Sequence, residues 1–131
     1  MTETVRELAR RSQAAAGAKD RAAWLGQFAD DAVVEDPVGP SLLDPAGKGH
    51  RGADAIAAFY DAVIGRVDRL RFEIERSYVC GDEIADVGAI HMDFPGNSTA
   101  VVRGVFTYRS DGSGRLIALR AFWEFDAVEF T

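Results

Sequence analysis

The chain has 131 residues, 47% of them hydrophobic, and a formal net charge of −6. That size fits a single domain over residues 1–131, and the apolar content excludes a disordered chain. The acidic balance argues against nucleic acid and anionic membranes as partners, because their binders carry basic patches. The lone cysteine, Cys80, excludes an intrachain disulfide, and two histidines without a CxxC exclude a Cys/His zinc site, so no metal is expected. The N-terminal stretch MTETVRELARRSQAAAGAKDRAAW has no apolar signal-peptide core, and no run reaches membrane-spanning length, which implies a cytoplasmic protein.

Residues 4–16 are rich in Ala, Arg, Glu and Gln and predict a helix, interrupted at Gly17. Asp20 is placed to cap a second helix running through Phe28. AVVED at 32–36 reads as a short strand, since β-branched residues lead into an X-Pro step that requires extended backbone. Asp30 and Asp31 then fall at the end of the second helix. The stretch after Asp36, rich in Pro and Gly up to Gly52, is a long loop, and loops of that length are often rims or lids. A third helix is predicted over 53–66, where Ile56, Phe59, Tyr60, Val63 and Ile64 recur at helical spacing.

After Arg66 the apolar period becomes two. Strands are predicted from Leu70, over 83–94, over 98–109 and over 115–130, punctuated by Gly81-Asp82, PGN and SDGSG. The order ααβαββββ reads as an α+β domain: an antiparallel meander curled around helices to leave a cone with an apolar mouth. Val34 and Asp36 share one face of the first strand, Val33 and Glu35 the other. One acid therefore faces inward, and alternation alone does not say which.

Asp36 has two readings. An aspartate before proline commonly caps a turn. In an apolar pocket, burial would instead raise its pKa and suit it to act as a general base on a weakly acidic C–H. Tyr60 reads either as a helix-face core residue or as a site residue, and Trp123 as core packing or as an indole N–H donor. His91 and Asp93 alternate against Ile90, Met92 and Phe94, which puts them on the outer face. His50 falls in the loop and reads as exposed. Cys80 lacks a thiolate-stabilising context and reads as structural.

FADDAVVEDPVG, HRGADAIAAFYDAVIG and GRLIALRAFWEF together resemble the steroid Δ-isomerase (ketosteroid isomerase) family, within the NTF2-like or SnoaL-like superfamily, over residues 20–125. The resemblance implies a strongly curved antiparallel sheet enclosing three helices, a homodimer, and cofactor-free catalysis on a steroid or similar flat apolar ketone. It implies Asp36 as the base that moves a proton by way of a dienolate, Tyr60 as a second catalytic residue, and a pocket wall of Trp24, Phe28, Phe59, Val101 and Trp123. Where the family carries its oxyanion tyrosine and protonated aspartate, this chain counts to Ser12 and Val101. A serine on an Ala/Arg-rich helix reads as solvated. The alternatives are a non-catalytic module for an apolar small molecule, a polyketide cyclase, or a limonene-type epoxide hydrolase, whose Asp–Arg–Asp arrangement Arg103 and Arg120 bring to mind.

Overall fold

A computed structural model describes residues 4–131. Helix α1 spans Val5–Gly17, and the Thr4 hydroxyl caps it by accepting the Glu7 amide at 3.2 Å. Its buried face carries Val5, Leu8, Ala9, Ser12 and Ala16, the spacing of one helical stripe. Helix α2 is short, Arg21–Gly26, and Asp20 caps it as expected. It ends before Phe28, which opens strand β1, Phe28–Glu35. Asp30 and Asp31 accordingly lie exposed within β1 and not at a helix end.

Two residues of the long loop form strand β2, His50–Arg51, antiparallel to β1. Helix α3, Ala53–Ala62, is shorter than its periodicity suggests; a 3-10 turn over Ile64–Arg66 finishes the apolar run. Four long strands follow: β3 Arg69–Cys80, β4 Glu83–Asp93, β5 Thr99–Ser110 and β6 Leu116–Phe122. The last expected strand does not continue to residue 130. It gives way to a 3-10 turn, Phe125–Ala127, and strand β7, Glu129–Phe130, which pairs with β5.

The sheet corrects the expected architecture. Its order is β2-β1-β6-β5-β4-β3, an open path, and β1 runs parallel to β6. The fold is α+β and NTF2-like with three α-helices, but its sheet is mixed and open where a strongly curved antiparallel cone was expected. Turn chemistry joins β3 to β6 as hairpins, whereas β1 is preceded by a helix and followed by the long loop, β2 and α3, so no hairpin forces it antiparallel to β6. The β4–β5 ladder pairs from Glu83↔Arg109 to Asp93↔Thr99 with no register shift, so that pair lacks a bulge at which to bend sharply.

The helices cover one sheet face, and the core lies between them, with Leu8, Ile56, Ile84, Phe106 and Leu116 almost fully buried. Two glycines opposite each other, Gly88 and Gly104, permit close strand approach. A Cβ on Gly88 would stand 2.0 Å from the Glu73 carbonyl oxygen, and one on Gly104 would stand 2.2 Å from that of Phe122. Both obstacles are backbone, so a methyl group there must push strands apart. Gly104→Ala is expected to destabilise the protein by about 1–3 kcal/mol, the usual cost of overpacking. Gly26→Ala, where a Cβ meets nothing within 4 Å, should be neutral or slightly stabilising. Urea denaturation of the two variants beside wild type checks the contrast.

Candidate active site

A cavity of about 410 Å³ lies between the helices and the inner sheet face. Its walls are mostly aliphatic and aromatic, among them Trp24, Phe59, Phe72, Phe106 and Leu119. Among the described residues that line it, only Asp36 and Arg66 carry charge, and only Ser12 and Tyr108 carry hydroxyls.

Asp36 follows β1 immediately. Ala32 and Val34 are fully buried on the same alternating face, so Asp36 is directed inward. The Trp123 indole N–H donates to its Oδ1 at 2.5 Å. Parallel pairing makes this contact: Glu35 sits opposite Arg120, so the chain leaves β1 and β6 side by side, with Asp36 and Trp123 just beyond. The Val38 amide extends the pairing by donating to the Ala121 carbonyl at 2.9 Å. Glu35 faces the other way and accepts from Arg120 Nε at 2.5 Å. The surface Asp36 retains faces apolar walls, so burial pushes its pKa up. The Trp123 hydrogen bond and the charge of His50 act in the opposite direction without cancelling it.

Tyr108, on β5, is buried and lines the cavity. Its oxygen accepts from Gln13 Nε2 at 3.3 Å, and Gln13 also donates to Asp86 Oδ2 at 2.8 Å. Asp86 is inaccessible to solvent and further accepts from Arg10 (2.7 and 3.2 Å) and from the Ser77 hydroxyl (2.6 Å). Burial pushes the Asp86 pKa up, but the bonds from Arg10, Ser77 and Gln13 outweigh it and hold the carboxyl below its usual range. Burial also pushes the Tyr108 phenol up, keeping it protonated. Its O–H has no acceptor among the described protein groups and is left as a donor.

The remaining expected site residues are divided. Trp24, Phe59 and Trp123 line the cavity; Phe28, Tyr60 and Val101 do not. Phe28 packs edge-on beneath Trp24 at 4.9 Å. The Tyr60 ring is core; burial pushes its hydroxyl pKa up, with the exposed Asp20 and Asp61 adding to the rise and Arg21 opposing it. Val101 is out of phase: Ala100 and Val102 project inward. Ser12 reverses its expected solvated place, being buried against the cavity because α1 turns that face to the sheet. His50 is only partly exposed; its ring packs tilted against Phe59 at 4.9 Å, and its Nε2 is buried with no partner among the described residues. His91 lies away from the cavity and bonds Glu73 at 2.8 Å. Arg103 and Arg120 are engaged by Glu129 and Glu35, and Asp36 is the only carboxylate lining the cavity among the described residues, which leaves no Asp–Arg–Asp set there. No cluster of described residues is suited to a metal ion.

Tyr108 and Asp86 were missed. Both had a signal: each is polar yet in phase with the inward apolar residues of its strand, Tyr108 with Val102 and Phe106, Asp86 with Ile84 and Ile90.

The model of the SnoaL-like domain matches residues 9–126. A Δ5-3-ketosteroid isomerase from Mycobacterium sp. is 43% identical, with 97% of this chain and 98% of that one covered and a TM-score of 0.91. The chain is a ketosteroid isomerase-like member of the SnoaL-like family. RV0760c of Mycobacterium tuberculosis, also similar to this enzyme, is 36% identical with both chains covered at 100% and a TM-score of 0.91. Its structure with estradiol-17β-hemisuccinate aligns at 37% identity over 95% of this chain and 97% of that one, with a TM-score of 0.88. A computationally designed 17-OHP binder is 36% identical over 97% and 98% of the two chains, with a TM-score of 0.91. No curated protein sequence matches. Similarity of this kind, together with the cavity, makes the chain a ketosteroid isomerase-like enzyme. No described helix is long and apolar enough to cross a membrane.

The raised Asp36 pKa makes the folded state bind more protons than the unfolded chain. Its contribution to stability is therefore present at low pH and is lost as pH rises from the unfolded value of 3.8 through the folded pKa. Asp36→Asn is expected to be more stable than wild type at neutral pH and to lack that loss. Trp123→Phe removes the bond favouring the charged form, so it should extend the same loss to higher pH. Thermal melts across pH 3 to 8, in roughly one-unit steps, read both shifts.

Proposed function

We propose that the protein shifts a carbon–carbon double bond in a 3-ketosteroid or a similar flat ketone, with Asp36 carrying the proton. The observation that carries this reading is a carboxylate held by Trp123 at the wall of an otherwise apolar cavity. A volume of about 410 Å³ suits a small flat ligand.

The ionised Asp36 removes the proton between the ketone and the isolated double bond. Electrons move onto the ketone oxygen as the dienolate forms, and the protonated Asp36 returns the proton two carbons along, leaving the double bond conjugated. Pairing an Asp base with a Tyr and a protonated Asp as oxyanion donors is a known solution for steroid isomerisation. Here the two hydroxyls of the cavity, Tyr108 and Ser12, serve as donors to the developing charge. Tyr108 is suited to it because burial keeps it protonated and Gln13 holds its oxygen. No cofactor enters this route.

We also infer a homodimer formed through the outer sheet face. No described helix covers that face, and it presents half-buried Val87, Val101 and Val105 beside an exposed Phe122. Phe122→Glu should convert a sedimenting dimer to monomer; a wild-type monomer would remove the idea.

Ultraviolet assay of 5-androstene-3,17-dione conjugation tests the chemistry. Asp36→Asn should lower kcat by about 10²–10⁴-fold, the scale of a general base. Tyr108→Phe should lower it by about 10²–10³-fold, the scale of one oxyanion donor. Equal turnover by wild type and Asp36→Asn would overturn the assignment of the base. Steroid binding by both with turnover by neither would support a binding role in its place.

A further inference from the structure

We propose that Arg66 recognises an anionic group on the ligand, so that the preferred substrates are flat ketones bearing a carboxylate or similar acid. The inference rests on the ketone-binding reading of the cavity and adds to it the charge of the ligand.

The cavity offers almost nothing polar beyond its reacting end. Asp36, Trp123, Ser12 and Tyr108 are committed to the ketone and its proton in that reading. Arg66 is the one cationic side chain lining the cavity among the described residues. It closes the 3-10 turn after α3, where its neighbours Ile64 and Val67 are buried in the wall while Arg66 itself is exposed. That places it at the rim, with Phe125 and Phe130 as other exposed lining residues.

The guanidinium has no hydrogen-bond or ion-pair partner among the described residues. The nearby Asp61 is already engaged by Arg21, at 2.9 and 3.0 Å. Asp68 does not line the cavity. Lys19 donates to the carbonyls of Gly65 and Val67, which pins the turn on both sides of Arg66 and adds positive charge beside it. An elongated ligand with its ketone against Asp36 has only Arg66 to meet a charge elsewhere on its frame. A planar guanidinium matches a carboxylate through paired N–H donors.

The test uses 3-oxo-4-androstene-17β-carboxylic acid and its methyl ester, with binding read by quenching of Trp24 and Trp123. Arg66→Gln should weaken the acid about five-fold, the scale of a partly exposed ion pair, and leave the ester unchanged. Raising salt to about 0.5 M should shrink the wild-type response to the acid toward that of the variant. Equal affinities of wild type and Arg66→Gln for the acid would overturn the proposal, as would equal weakening of acid and ester. Failure of wild type to bind either compound would instead overturn the ketone-binding reading.

Discussion

A single buried carboxylate organises the interior. Asp86 has no solvent to stabilise its charge, so its place depends on Arg10, Gln13 and Ser77. Removing one partner from such a group typically costs about 3–5 kcal/mol, less where, as for Arg10, one member still reaches water. These four residues come from three elements: Arg10 and Gln13 from α1, Ser77 from β3, Asp86 from β4. The charge therefore locks the first helix onto the sheet at one rotation. That rotation buries Ser12, the neighbour of Gln13, against the cavity, and Gln13 reaches on to Tyr108. Both cavity hydroxyls thus inherit their positions from an ion pair that does not touch the cavity.

The opposite wall is set by backbone. Parallel pairing of β1 with β6 brings residues 36 and 123 together although they are far apart in the chain. The glycine at 104 lets the chain around Phe122 and Trp123 approach β5 closely. Alternation along β1 then divides its two terminal acids: Glu35 outward to Arg120, Asp36 inward to Trp123. One carboxylate becomes part of a partly buried ion pair, and the next becomes a desolvated acid at the cavity wall.

Local chemistry was readable in the sequence. The Asp20 cap, the apolar stripe of α3 and the hairpin turns of β3 to β6 each follow from neighbours in the chain, and each is present. The inward aim of Asp36 followed from alternation once the ladder was known. What failed depended on distant partners. The direction of β1 is decided by β6, more than eighty residues later, and no turn signals it. Ser12 looked solvated because its own helix is polar, whereas its burial is imposed by the sheet. Val101 lies one residue out of phase with the cavity face of β5, which Ala100 and Val102 carry, because a strand's face cannot be read without its register. Tyr108 stayed hidden for a related reason: an aromatic in an apolar strand resembles core until its hydroxyl is seen to meet Gln13.

The parallel β1–β6 contact also has a temporal side. Asp36 is made early and Trp123 late, with the rest of the sheet between them. A chain emerging from its N-terminus can form α1, α2 and the β3–β4 hairpin from nearby residues, but contacts of such long sequence separation close slowly and late. The cavity carboxylate therefore stays in water through most of synthesis and becomes desolvated only when the last long strand slides in beside it. The raised pKa at this position belongs to the completed chain: a fragment ending before β6 would carry the same aspartate as an ordinary solvated acid.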